Sequence, residues 1–173
     1  MLKLGVVKTL TAFIVCACLS LSSCMVIGRG TPPVEFASHW AFCLTPPVEQ
    51  KKSFPNLPPQ VQLDTYLICM LYYHPPQIGL AYYFAQTGSE GVRLIATKLS
   101  VTTDEITILD LIFALRIFSD LKTYDVAGDA VTIDIAWRAV DRVNDVWTKE
   151  TCTKYIDKIL ATKKKDQWGQ DQN

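Results

Sequence analysis

Asp104 to Leu121, DEITILDLIFALRIFSDL, constrains the fold more than any other stretch. Ile106, Ile108, Leu109, Leu111, Ile112, Phe113, Leu115, Ile117 and Phe118 cover nearly every direction of a 3.6-residue period. A helix with no polar face must lie at the centre, with other elements around it. The preceding Thr102-Thr103-Asp104-Glu105 reads as a capping box. The Thr102 hydroxyl accepts from the Glu105 amide, and the Glu105 carboxylate reaches back.

The neighbouring segments supply partners for that helix. Pro58-Pro59 opens a helix over Gln60 to Tyr73, which stops before Pro75-Pro76. Gln77 to Gln86 follows, and Gly88 separates it from Glu90 to Leu99. Gly128-Asp129 starts a further helix with Asp129 as N-cap. Ile133, Trp137, Val140, Val143 and Trp147 fall on its inward stripe. Asp134, Arg138, Asp141 and Asp145 fall on another, with Asp134 and Arg138 a favourable i,i+4 pair. Thr148 caps a last helix, Lys149 to Ala161, with Tyr155, Ile156 and Ile159 inward. No stretch outside 130–135 alternates like a strand. The expected fold is all-α, a compact bundle of about six helices. Gly91 to Ala96 followed by Asp104 to Leu115 faintly resembles a HEAT-type helical repeat, which implies a short solenoid as the alternative. A solenoid needs about three repeats, and this covers one and a half.

Residues 25–35 carry Gly28, Gly30, Pro32 and Pro33 and read as a tether. The pentad TPPVE occurs at Thr31–Glu35 and again at Thr45–Glu49. Phe36 to Leu44 is aromatic enough for one short element packed on the body. Lys51 to Pro59 is polar, broken by proline and expected to be a loop. The domain plan is therefore a signal peptide at 1–23, a tether and Pro-rich irregular segment at 24–58, a helical domain at 59–162 and a polar tail at 163–173.

The amino-terminal segment speaks to location. Lys3 and Lys8 precede an apolar run from Thr9 to Leu19, the n-region and h-region of a signal peptide. The run is shorter than the roughly 20 residues that span a bilayer. Leu21-Ser22-Ser23-Cys24 then resembles the lipobox of bacterial lipoprotein signal peptides; Cys18, after Val15-Cys16-Ala17, is a weaker match. The resemblance implies a diacylglyceryl group on the Cys24 thiol, cleavage just before it, and acylation, typically with palmitate, of the new amino terminus. Two or more chains suffice for stable attachment, where one does not. Met25 in place of Asp implies the outer membrane, facing the periplasm, in a Gram-negative host.

The chain carries 17 basic and 17 acidic residues. Loss of 1–23 removes Lys3 and Lys8 and leaves the remainder slightly acidic. That argues against a nucleic-acid partner and against a polybasic membrane face. Beyond Cys24, three cysteines stay in the exported chain. They allow one internal disulfide, Cys43 with Cys69 or with Cys152, and one leftover thiol.

Little else points to chemistry. His39 and His74 have no acid or cysteine at metal-ligand spacing, and neither HExxH nor Gly-x-Ser-x-Gly occurs. No metal, cofactor or catalytic residue is expected. Asp104 with Glu105 and Asp141 with Asp145 read as capping and salt-bridge decoration. The unusual feature is aromatic: Tyr72, Tyr73, Tyr82 and Tyr83 crowd around His74-Pro75-Pro76. Adjacent helical residues point about 100° apart, so one of each pair is expected near the surface, as a binding anchor. The sequence thus suggests a lipid-anchored, non-catalytic envelope protein with a protein-binding helical domain, an assembly factor or immunity-type protein. An envelope hydrolase acting on peptidoglycan or lipid, with His74 or His39 as base, is the alternative.

Overall fold

The computed structural model describes residues 32–73 and 75–170, with side chains as far as Thr162. Among them are eight α-helices and no strand. In chain order they are α1 (Ala37–Cys43), α2 (Pro47–Ser53), α3 (Pro59–Tyr72), α4 (Gly79–Phe84), α5 (Ser89–Val101), α6 (Glu105–Asp120), α7 (Ala130–Asp141) and α8 (Val146–Gln170). Short 3-10 turns at Val34–Phe36, Phe54–Asn56, Ala85–Thr87 and Val126–Gly128 join several of them.

The fold is all-α and compact, built around α6. That helix packs on α8 over its length and also touches α3, α4, α5 and α7. The main pairings are α1 with α3, α5 with α7 and α6 with α8, and a compact all-α fold is what the bundle and the short helical solenoid have in common. Ile108, Leu111, Ile112, Ala114, Leu115 and Phe118 of α6 are fully buried. Phe118 meets Phe84 edge-on at 5.5 Å between ring centroids.

Of the two short helices ahead of α3, α1 falls on the Phe36–Leu44 element expected to pack on the body, and α2 was not expected. The segment read as irregular contains α1 and α2, and the stretch read as a polar loop completes α2 and buries Phe54 entirely. The prolines explain this. Pro46 and Pro58 sit just before α2 and α3 in extended polyproline geometry (φ −57°, ψ 143° and φ −55°, ψ 143°). Pro47 and Pro59 are then the first helical residues, where a missing N–H costs nothing. Each pair therefore starts a helix. In the first TPPVE pentad it is Pro33 that precedes a 3-10 turn. At the other end α8 runs to Gln170, nine residues beyond the expected Ala161.

The caps also differ in part from expectation. Asp129 does cap α7, accepting from the Thr132 amide at 3.0 Å. At α6, however, Asp104 takes the Thr107 amide at 2.8 Å. The Glu105 carboxylate turns away and accepts from the amides of Asn144 (2.8 Å) and Asp145 (3.2 Å). It clamps the α7–α8 turn to the start of α6. At α8 the cap is Asp145, which accepts from the Thr148 amide at 2.7 Å; Thr148 itself is buried. Trp147, expected on the inward stripe, is 65% exposed because the helical phase restarts at that turn.

Candidate functional site

The tyrosines divide. Tyr73 and Tyr83 converge on one groove of about 300 Å³, lined also by Thr45, Pro47, Gln50, Pro75, Pro76, Gln77, Gly79 and Leu80. Tyr72 is half-buried against the core, and Tyr82 is exposed on α4 without lining the groove. One tyrosine of each pair faces the groove; Tyr82 and Tyr83 are set apart by the helical step, whereas Tyr73 departs from Tyr72 because the helix has ended. His74 lies outside the described residues.

Each wall has a structural cause. α3 ends at Tyr72, so Tyr73 turns extended (φ −98°, ψ 133°) ahead of Pro75, as residues near a proline do. Its ring lies 6.4 Å from that of Trp40 on α1. A disulfide between Cys43 and Cys69 ties α1 to α3 beneath, one of the two pairings the sequence allowed. Glutamines close the turns. Gln77 Nε2 donates to the Cys43 carbonyl at 2.7 Å, and Gln50 Nε2 donates to the Phe42 and Cys43 carbonyls at 3.2 and 3.3 Å. These satisfy carbonyls at the end of α1 that have no helical partner. Nothing in the spacing of the glutamines signals that role.

The groove's chemistry is uniform. Among the described residues, no charged one lines it. The neighbours of its lining residues, Leu44, Val48 and Ile78, are each more than half exposed. Neither Tyr73 nor Tyr83 hydroxyl makes a hydrogen bond among the described residues, and Gln77 Oε1 is buried without a donor. Gly79 opens α4 at the rim, and a Cβ built there would meet nothing within 4 Å.

The remaining candidates are structural. His39 Nδ1 lies 2.7 Å from Thr65 Oγ1, and Thr65 is 1% exposed. A hydroxyl so enclosed cannot reach a substrate, and its partner is no carboxylate, so the pair fastens α1 to α3. Cys152 is a free, fully buried thiol on α8; burial, with the nearby Asp110 charge, pushes it up to about 11. Tyr66, also fully buried, donates to the Asp110 carbonyl at 2.9 Å, and burial together with Asp110 raises its hydroxyl well above the ordinary value. No sequence pattern signals that Asp110, on the most apolar helix, is 7% exposed beside these two groups.

Two other concavities are more polar. One of about 490 Å³ between α5 and α7 includes Arg93, Tyr124 and Asp129, with Tyr124 and Asp129 joined at 3.0 Å. Another of about 440 Å³ lies below Trp147, where Asp104, Glu105 and Asp145 are each engaged with backbone amides. Among the described residues no group of His, Cys, Asp and Glu is arranged to hold a metal, and no helix is long and apolar enough to cross a membrane. Cys24 lies outside the described residues. No family model, curated protein or solved structure matches the chain.

Proposed function

We propose that this is a lipid-anchored protein of the bacterial cell envelope whose helical domain binds another protein and performs no chemistry. The groove between Tyr73 and Tyr83 is the observation that carries the binding reading. Its described lining carries no charge and is walled by aromatic and proline side chains, with exposed Leu44, Val48 and Ile78 next in sequence to lining residues. Exposed apolar surface is a mark of interaction sites, and rigid rings lose little entropy on binding. The anchor rests on Leu21-Ser22-Ser23-Cys24, with the outer membrane facing the periplasm as the location in a Gram-negative host.

Gly79→Phe tests the binding face. The new ring enters open space at the groove's rim, so the fold should keep its melting temperature while partners cross-linked in the intact envelope are lost. Undiminished cross-linking by the folded variant would remove the groove from the reading. Cys24→Ala tests the anchor independently: unprocessed precursor without labelled palmitate supports it, and normal incorporation refutes it.

A further inference from the structure

The lining of the Tyr73–Tyr83 groove also narrows the class of occupant, given that this groove is the binding face. We infer that it takes a proline-rich segment of a partner in the extended polyproline helix. Three observations converge on this ligand. First, no charged residue is among the described residues that line the groove, so an ionic side chain entering it would find no counter-charge among them; an uncharged ligand fits. Second, two tyrosine rings face it with Pro47, Pro75 and Pro76. Prolyl rings pack on aromatic walls of this kind, and the polyproline helix arrives already ordered, so little entropy is lost on docking. Third, the groove presents two hydroxyls that can donate to that backbone, while Gln77 Oε1, an acceptor, is buried. The Tyr73 and Tyr83 hydroxyls have no hydrogen-bond partner among the described residues. A polyproline helix forms no internal hydrogen bonds and presents its carbonyls outward. It offers acceptors and few donors, the complement of two free phenols.

Size agrees. About 300 Å³ is the low end of the range for small-ligand sites, enough for roughly one turn of three residues. A helical occupant would bring a wider cylinder of side chains, about 10–12 Å across. A strand would need a sheet edge, and the described residues contain none.

The probe is decaproline, titrated into the purified domain and followed by tyrosine fluorescence and by chemical shifts of groove residues. An equally long Ala-Glu-Lys peptide is the control. We expect saturable binding of decaproline alone. Gly79→Phe should abolish it at unchanged melting temperature. Tyr73→Phe and Tyr83→Phe, which keep the rings, should each weaken it about two- to tenfold, the worth of one neutral hydrogen bond. Absence of decaproline binding, or binding that Gly79→Phe leaves intact, overturns the inference. If decaproline fails while Gly79→Phe still removes the envelope cross-links, the groove remains the binding face and only the ligand class is wrong. If decaproline binds in the groove but the cross-links survive, the ligand class stands and the groove is not where that partner docks.

Discussion

Asp129, half-buried at the start of α7, holds several groups at once. It accepts from the Thr132 amide and hydroxyl and from the Tyr124 hydroxyl. Burial pushes its carboxyl up, but these hydrogen bonds outweigh that, and the net shift is downward. A carboxylate whose folded value is lowered adds stability above its unfolded value, and loses it as pH falls through the folded one. Asp129→Ala should therefore cost about 1 kcal/mol near neutrality, and the gap to the native protein should narrow below pH 3.8, the ordinary carboxyl value. Urea titrations at pH 7 and pH 3 measure it; an equal gap at both would show that the ionised carboxylate is not what caps α7. The Cys152 thiol has the opposite sign. Its folded value of about 11 lies above the ordinary 9.0, so the unfolded chain loses the proton first and stability falls as pH rises past 9. Cys152→Ala should flatten part of that alkaline decline, read from melting temperatures between pH 8 and pH 10.5. Residues of this kind were unevenly legible. Asp129 stood alone before its helix and was found as the cap. At α6 and α8 two or three acceptors lay within reach of the same amides. Which one wins is decided by a distant partner, as when Asn144 and Asp145 draw Glu105 away, and no local pattern carries that information.

The same division holds for whole elements. The α6 helix was legible because its pattern allowed a single environment, and α3, α4, α5 and α7 were bounded by prolines, glycines and a cap. By contrast α2 was hidden and α1 legible only as a short helix or strand, since each is only seven residues long, too short for a period to declare itself. Their stability comes from Cys43 and Phe54 in the core rather than from propensity. Gly91 shows how an element can depend on a residue that looks like punctuation. A Cβ there would lie 2.0 Å from Thr87 Oγ1 and 2.6 Å from Phe118 Cζ. Thr87 can rotate, but Phe118 is fully enclosed and set against Phe84. Gly91→Ala should thus destabilise by ~1–3 kcal/mol through overpacking, although alanine is the better helix former by about 1 kcal/mol. Gly79→Ala, where the Cβ meets open space, is the matched control and should be neutral or slightly stabilising. Equal effects of the two substitutions in thermal unfolding would mean that α5 and α6 can separate to admit a methyl group.

At the scale of the molecule, the Cys43–Cys69 bridge joins stability to the groove. It closes a loop across 26 residues of sequence, which in the chain-entropy picture contributes ~3.5 kcal/mol. The same bridge holds α1 against α3, and α1 supplies the carbonyl that Gln77 grips and the Trp40 ring beside Tyr73. Reading the sequence could name the pair of candidates for Cys43 but not choose between them, because the choice depends on where α1 lies. The structure places α1 on α3 and leaves Cys152 enclosed on α8. The double substitution Cys43→Ala/Cys69→Ala should then have two consequences of different size. Global stability should fall by ~3.5 kcal/mol, seen as a lower urea midpoint with a steeper slope, since the unbridged chain unfolds to a more expanded state. Affinity at the groove should fall as well at a temperature where the variant is still folded, because one wall loses its fixed position. Cys152→Ala alters neither wall and should leave groove affinity as it is. A double variant that loses stability yet binds decaproline and envelope partners as tightly as before would show that Gln77 and the Trp40–Tyr73 contact position the wall unaided, leaving the bridge a purely entropic brace.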